Sequence, residues 1–434
     1  MIRDRLGRTF SSLAIYNYRI FWLGQLISLS GTWMQTTAQA WLVLKLTNSP
    51  TALGTVTMLQ FLPVMLLTLF GGVLADRLPK RTVIICTQSA GALQAFALAA
   101  LVLSNRVELW QIYGLALMLG LINAFDNPTR QAFVVELVGP TQLQNAVALN
   151  STLFNGARIV GPAIGGILIS TVGIGQAFLW NGISFLPVIA GLLLMRSREF
   201  YASSRAKPGK VFGQLAEGIR YALGTREVLL ILLLVGILGT FGYNFTTILP
   251  LIARYVVNAG AIGLGLLTSA VGVGSLVAAL GVAGARRTSM TVLLAAAALF
   301  SILLILVGLS SWLPLTLGLL VVLGIASIVF SSSANTRLQL AAPGPLRGRV
   351  MSLYFLLFAG STPIGSLVVG FLAAAIGVQP SVILMGAICL AGVGGTLLFA
   401  RRGAADGAVH ASAVQPARGP DPHRLPLGQR GRAK

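Results

Sequence analysis

The sequence predicts an all-α membrane protein of twelve transmembrane helices in two six-helix pseudo-repeats, and three observations predict it. Of 434 residues, 56% are hydrophobic and 9% charged, against roughly 25% charged in ordinary soluble domains. The apolar residues fall in long runs; crossing ~30 Å of hydrocarbon at 1.5 Å per residue takes ~20 of them, with every amide satisfied inside its own helix. The second half of the chain also echoes the first.

The runs cover approximately 20–44, 51–75, 83–103, 110–131, 146–171, 176–195, 228–252, 261–284, 290–310, 313–336, 350–376 and 380–400. The first is too long for the apolar core of a signal peptide and no small-residue cleavage site follows it, so it reads as a retained helix. Both chain ends, 1–19 and 401–434, then share one side. Positive charge makes that side cytoplasmic: Arg3, Arg5, Arg8, Arg19, Arg77, Lys80, Arg81, Arg286, Arg287, Arg347 and Arg349 fall there with the basic linker and tail, against Lys45, Arg106 and Arg254 opposite. The net charge of +21 is therefore mostly topology, with attraction to anionic lipid added, and not a nucleic-acid surface. Cys86 and Cys389 lie in separate apolar runs and offer neither a disulfide framework nor metal spacing.

The expected domains are a cytoplasmic N-terminus (1–19), a six-helix bundle (20–195), a polar linker (196–227), a second bundle (228–400) and a disordered basic tail (401–434). Within the linker, Val211, Leu215, Ile219 and Ala222 share a face of an amphipathic helix. The halves match in order: LFNG at 153–156 with LFAG at 357–360, and Gly161 and Gly166 with Gly365 and Gly370. Thr129-Arg130 matches Thr336-Arg337, and ALG at 52–54 matches AIG at 261–263. An internal repeat is the usual build of a secondary transporter.

Polar residues follow the same logic. Gln25, Ser28, Thr32, Gln35 and Gln39 fall on one face of the first helix; the fourth offers Asn123, Asn127 and Arg130, the seventh Thr240, Tyr243, Asn244 and Thr247, the tenth Ser327, Ser331 and Asn335. A polar stripe in lipid is costly, so these faces are expected to line a shared watery cavity, the alternative being hydrogen bonds between helices.

GGVLADRLPKR, residues 71–81, resembles the signature between the second and third helices of the major facilitator superfamily, through Gly72, Asp76, Arg77, Lys80 and Arg81, with Pro79 where that family usually has glycine. GPAIGG, through Gly161, Pro162, Gly165 and Gly166, resembles its antiporter motif, and DNPTRQAF with GIRYAL is similar to the enterobactin-exporter and macrolide-efflux branch. The resemblance implies a drug:proton antiporter type of transporter. Independently of it, a charged loop just outside lipid can bridge helix ends in one state and release them in another, a two-state gate. Ala285 stands where the second half would carry the matching acid, so the gate is expected to be one-sided. The glycines allow close helix approach and Pro162 removes a helical hydrogen bond.

Arg158 lies one turn before Pro162, deep in its helix, where a charge is functional by default; it contacts substrate or a coupling acid, or makes a structural pair. Of ten acidic residues, Asp126 alone falls inside a membrane run. Three roles stay open for it. If the fourth helix stops at Arg130, Asp126 belongs to the gate with Asp76 and Arg81; if it runs on to about residue 135, Asp126 sits deep, nearly level with Arg158, as a proton-coupling acid; stabilising its own helix is the third.

No phosphate-binding loop of the G-x-x-x-x-G-K-[ST] type occurs, so gradient energy is the default. His410 and His423 lie in the tail and the helices hold no acidic pair, which excludes a recognisable enzyme site. The chain is expected to be a proton-coupled exporter of siderophores, macrolides or other small amphiphiles in the inner membrane of a bacterium, monomeric and without cofactor or metal. Arg130 and Arg158 against one acid favour an anionic or neutral polar substrate. An importer of the same fold and a non-transporting receptor are the alternatives.

Overall fold

The structure, a computed structural model, describes residues 10–201, 211–282 and 289–413. It is helical throughout those residues: α1 Tyr16–Thr47, α2 Pro50–Arg77 and α3 Lys80–Leu103, then a run Leu109–Thr171 broken at Gly139 into α4 (109–138) and α5 (140–171), then α6 Ile174–Leu194. Past residues 195–210 come α7 Val211–Gly224, α8 Arg226–Phe241, α9 Phe245–Leu251, α10 Gly260–Val282, α11 Met290–Leu309, α12 Leu313–Ala341, α13 Gly344–Phe358, α14 Thr362–Ile376 and α15 Val378–Ala413. Ten helical runs are long and apolar enough to cross a membrane among the described residues; α1, with 32 residues and its glutamine-rich face, is less apolar. Residues up to Val393 form one compact unit and those from Gly394 a second.

Local chemistry sets the boundaries. Asn48 ends α1 in the left-handed region (φ 47), a conformation asparagine tolerates better than most residues. Gly139 adopts φ 66 and ψ 178, closed to residues with a Cβ, and the Tyr201 ring lies 2.8 Å from where that Cβ would stand. The backbone N–H of Tyr201 donates to the Glu136 carbonyl at 2.8 Å, pinning the break. Pro140 opens the next helix, where a missing N–H costs nothing.

The fourth helix runs to residue 138, the longer of the two courses left open, because Pro128 is accommodated without breaking it. Two expectations need correction. The seventh and eleventh runs are not continuous: the chain leaves helix at Gly242–Asn244 and at Ala359–Ser361. These breaks lie side by side, with Gly365 so close that a Cβ would meet the Asn244 side chain. Finally, Arg401 does not begin a structureless tail; helix continues to Ala413, as Ala404, Ala405, Ala408 and Ala411 favour once an existing helix supplies the nucleus. Residues 414–434 lie outside the described residues. In the linker α7 is helical and Ala222 is buried; Ile219 on the same predicted face is exposed, Gly218 instead packs against Arg349, and the side chains of Val211 and Leu215 lie outside the described residues.

Two crossings join the N-terminal half to the C-terminal half, and glycine makes both possible. A Cβ on Gly54 of α2 would lie 2.5 Å from the Ser366 carbonyl of α14 and 3.1 Å from the Gly370 Cα. One on Gly265 of α10 would lie 2.5 Å from the Pro162 carbonyl of α5 and 3.3 Å from the Gly166 Cα. Pro162 and Gly166 match Ser366 and Gly370 at the offset read from the sequence, so the echo between halves marks equivalent crossings. The α10 partner of Gly54 is Gly265, two residues beyond the Gly263 that sequence alignment selects.

Candidate functional site

Between the halves lies a cavity of about 330 Å³, lined by Trp33, Thr36, Thr37 and Ala40 of α1, Phe154 and Arg158 of α5, Leu264 and Thr268 of α10, and residues around both helix breaks, including Tyr243, Phe245 and Phe358. Its size is at the lower end of the roughly 300–1,000 Å³ typical of small-molecule sites. Hydrogen bonds join the halves beside this cavity and at the end holding the 48–49 and 257–259 loops. Ser269 Oγ donates to the Ile159 carbonyl at 2.6 Å, and Thr51 Oγ1 to the Gly370 carbonyl at 3.5 Å. Arg254 Nε and Nη2 and the Tyr255 hydroxyl all donate to Asn48 Oδ1, at 3.2, 3.2 and 3.1 Å.

The residues expected to line a cavity divide. Tyr243, Ser327 and Ser331 do line it. The polar face of α1 does not: Gln25, Ser28, Gln35 and Gln39 are buried inside the N-terminal bundle, where Gln35 bonds Gln94 and Asn181, and Gln39 bonds Gln60. Thr32 donates to the Ser28 carbonyl of its own helix. The neighbouring face, with Trp33, Thr36, Thr37 and Ala40, turns to the cavity instead. Thr240, Asn244 and Thr247 pack around the α8–α9 break, Asn244 donating to the Thr240 carbonyl at 2.7 Å, and Thr247 Oγ1 is buried without a partner. Asn123 is half-buried, Asn127 exposed, and Asn335 bonds Gln339, all outside the cavity lining.

Asp126 is 1% exposed, on the inner face of α4. Its Oδ1 accepts from Thr87 Oγ1 at 2.6 Å and Gln88 Nε2 at 3.1 Å, while Oδ2 pairs with the Arg130 guanidinium one turn on. Arg130 Nη1 in turn donates to Gln25 Oε1 at 2.5 Å. Thr87, Gln88, Gln94, Gln60 and Asn181 were not anticipated; single polar residues in apolar runs were the available signal.

The basic loop forms a separate cluster. Lys80 Nζ pairs with Glu136 at 2.6 Å; Arg81 donates to the carbonyls of Leu192 and Leu193 and, at 2.6 Å, to Ser197 Oγ. Arg81 thereby caps α6 with a cation, which the helix dipole favours. These bonds tie α3 to α4 and α6 within one half. Arg77 is exposed; the Asp76 side chain and the segment around Ala285 lie outside the described residues. Gly72 has open space around it, and Gly71 makes the close approach, to the Ala124 carbonyl of α4. Gly161 and Gly165 seat α5 against Trp33 and Met34 of α1, while Gly166 meets α10.

Arg158 differs from the other deep arginines. Arg130 is paired with Asp126 and Arg337 with Glu227, whereas Arg158 has no ion-pair or hydrogen-bond partner among the described residues and its Nε is buried unpartnered. Its guanidinium lies 5.7 Å from the Trp33 ring, a cation–π contact. The Arg158 carbonyl abuts Gly272, near the middle of α10. A charge at such depth costs about 2.5–3.5 kcal/mol on insertion scales and is kept where it faces a cavity.

A cavity between two halves that cross at matched glycines, with an intramembrane charge at its wall, is the construction of a transporter. The family of transmembrane secretion effectors matches residues 7–418. The chain is a major facilitator superfamily transporter of that family. It is not an enzyme. Among relatives, the multidrug efflux pump Tap of Mycolicibacterium fortuitum is 28% identical over 81% of this chain and 87% of its own length. The enterobactin exporter EntS of Shigella boydii is 28% identical over 70% and 72%. The staphyloferrin A transporter of Staphylococcus aureus is 25% identical over 55% of this chain and 59% of its own length. In fold, the chain resembles a POT family transporter crystallised with a thioalcohol-conjugated peptide (TM-score 0.72, 12% identity, 89% of this chain and 96% of that one). It also resembles a bacterial homologue of the lysosomal transporter Spinster (TM-score 0.69, 13% identity, 89% and 97%).

Proposed function

We propose that this transporter exports small amphiphilic solutes, of the siderophore, macrolide or drug kind, across a bacterial cytoplasmic membrane, driven by protons and acting as a monomer. Twelve spans form two six-helix repeats, 20–195 and 228–400, joined by the 196–227 linker, with both termini cytoplasmic. The observation that carries this reading is the central cavity, sealed by bonds between the halves toward the 48–49 loop end. With that end outside the cell, the state described loads from the cytoplasm. Alternating access then requires the Asn48 latch and the two glycine crossings to part while the linker end closes. The exporting relatives support the direction.

Asp126 is the coupling acid in this reading, and Asp76, Arg77, Lys80 and Arg81 form the gate. The geometry favours separating the two, because α4 runs to residue 138 and Asp126 bonds Thr87, Gln88 and Arg130 rather than Arg81. Protonating Asp126 would free Arg130 and loosen α4 from α3, a local switch within reach of the cavity helices. The test compares wild type with Asp126→Asn in cells stripped of their own efflux pumps, following macrolide, dye and siderophore accumulation with and without a protonophore. Protonophore-sensitive export is expected from the wild type. In vesicles, Asp126→Asn should lose uphill transport and keep downhill exchange; loss of both would return Asp126 to the gate, and raised accumulation by the wild type would indicate import.

A further inference from the structure

Few polar groups in the central cavity remain free to bind a ligand. Thr36, Thr37 and Thr268 donate to carbonyls one turn back in their own helices, at 3.0, 3.1 and 2.9 Å. Ser327 and Ser331 do the same at 2.8 and 3.3 Å, and the Tyr243 hydroxyl donates to the Ser327 carbonyl at 2.7 Å. Those donors are spent; the Thr246 and Thr362 hydroxyls remain, and Arg158 is the strongest donor and the charge of the lining. The repeat counterpart of Arg158 is Thr362, also on the lining and neutral, so nothing across the cavity balances the cation. Around it stand fixed rings: Phe154 edge-on to Trp33 at 5.8 Å, and Tyr243 stacked on Phe300 at 4.9 Å with Phe358 edge-on at 4.8 Å.

We propose that the cavity is an organic-anion site in which Arg158 takes the carboxylate or other oxyanion of a ligand whose flat apolar body lies against Trp33, Phe154, Tyr243 and Phe358. Planar oxyanions suit the guanidinium fork, and a desolvated, uncompensated arginine gains most from a counter-charge that arrives with the ligand. The inference deepens the export reading and rests on it only in treating the bound anion as cargo. Free solute and anionic lipid headgroup share this chemistry.

The test uses the full chain in phosphatidylcholine nanodiscs and three probes of one shape: 2-naphthoate, uncharged 2-naphthamide and 2-naphthylmethylammonium. Equilibrium dialysis should give wild-type binding of the acid at least tenfold tighter than the amide, with the ammonium weakest. Arg158→Gln should bring the acid down to the amide while leaving amide binding in place, which also reports an intact cavity; Arg158→Lys should keep part of the preference. Equal binding of acid and amide by the wild type, an acid preference that survives Arg158→Gln, or no saturable binding of any probe would each overturn the proposal. Competition by added phosphatidylglycerol would uphold the anion site and assign it to lipid; no competition would uphold it for solute. Flux of the same probes in liposomes separates the two readings. Acid bound but never carried sinks transport and leaves the site, whereas amide carried without acid preference does the reverse.

Discussion

The interior of the N-terminal bundle and the cavity between the halves each hold an arginine on the same helical run, and the two are treated in opposite ways. Arg130 sits one turn from Asp126, whose carboxylate also meets Thr87 and Gln88; Arg158, 28 residues on, meets a tryptophan face and no acid among the described residues. The repeat sharpens the contrast, because Arg337, the counterpart of Arg130, is paired with Glu227, while the counterpart of Arg158 is Thr362. Both guanidiniums leave Nε buried without a partner, so the carboxylate and the Gln25 bond are the difference. A charge balanced within the protein supports the fold, and a charge left unbalanced at a cavity wall awaits something from outside.

The largest expected effect tests the balanced side. Asp126→Ala leaves Arg130, 21% exposed, without its counter-charge and Thr87 and Gln88 without the 1%-exposed carboxylate they donate to, and should cost up to about 3–5 kcal/mol of stability, read as unfolding in detergent, with Arg130→Ala added on top restoring part of it. Glu227→Ala should cost only about 1 kcal/mol, since that carboxylate is 41% exposed. A larger loss there than at Asp126 would break the comparison.

Next come the glycine crossings that seal the cavity beside Arg158. Gly54→Ala and Gly265→Ala each push a methyl into a carbonyl 2.5 Å away, and overpacking of this kind costs about 1–3 kcal/mol. Both should open the sealed end to similar extents, measured as labelling of a Thr246→Cys reporter from that side; an effect at one crossing alone would deny their equivalence. Asn48→Ala removes three donors' shared acceptor and should raise the same labelling about fivefold, the equivalent of ~1 kcal/mol. The smallest loss belongs to Arg158→Gln, whose stability should be unchanged or higher, since removing an uncompensated intramembrane charge relieves its insertion cost. A drop comparable to that of Asp126→Ala would reveal a hidden partner for Arg158.

Much of the fold was legible. Runs of apolar residues marked the membrane helices, and the offset between LFNG and LFAG located Gly166 and Gly370, which cross the partner half at matched positions. The site was only partly legible. The 3.6-residue period placed Gln25, Ser28, Thr32, Gln35 and Gln39 on one face, but a period cannot say which way that face turns. Packing rotated it into the bundle, where Gln94, Asn181 and Gln60 supply partners on other helices. The breaks at Gly242–Asn244 and Ala359–Ser361 were hidden because each run stays apolar through the break.

By itself, the sequence determined that this is a helical membrane protein, roughly where its apolar runs lie, which of them carry charged residues, and that stretches of its second half echo the first. Those properties are local sums along the chain, of transfer free energy and of spacing. Only the tertiary structure decided that Asp126 neutralises Arg130 and joins Thr87 and Gln88, that Arg81 caps α6, and that Arg158 is left facing a cavity. Those outcomes depend on how helices rotate and pack to satisfy buried polar groups at low dielectric, a condition set by neighbours distant in the chain.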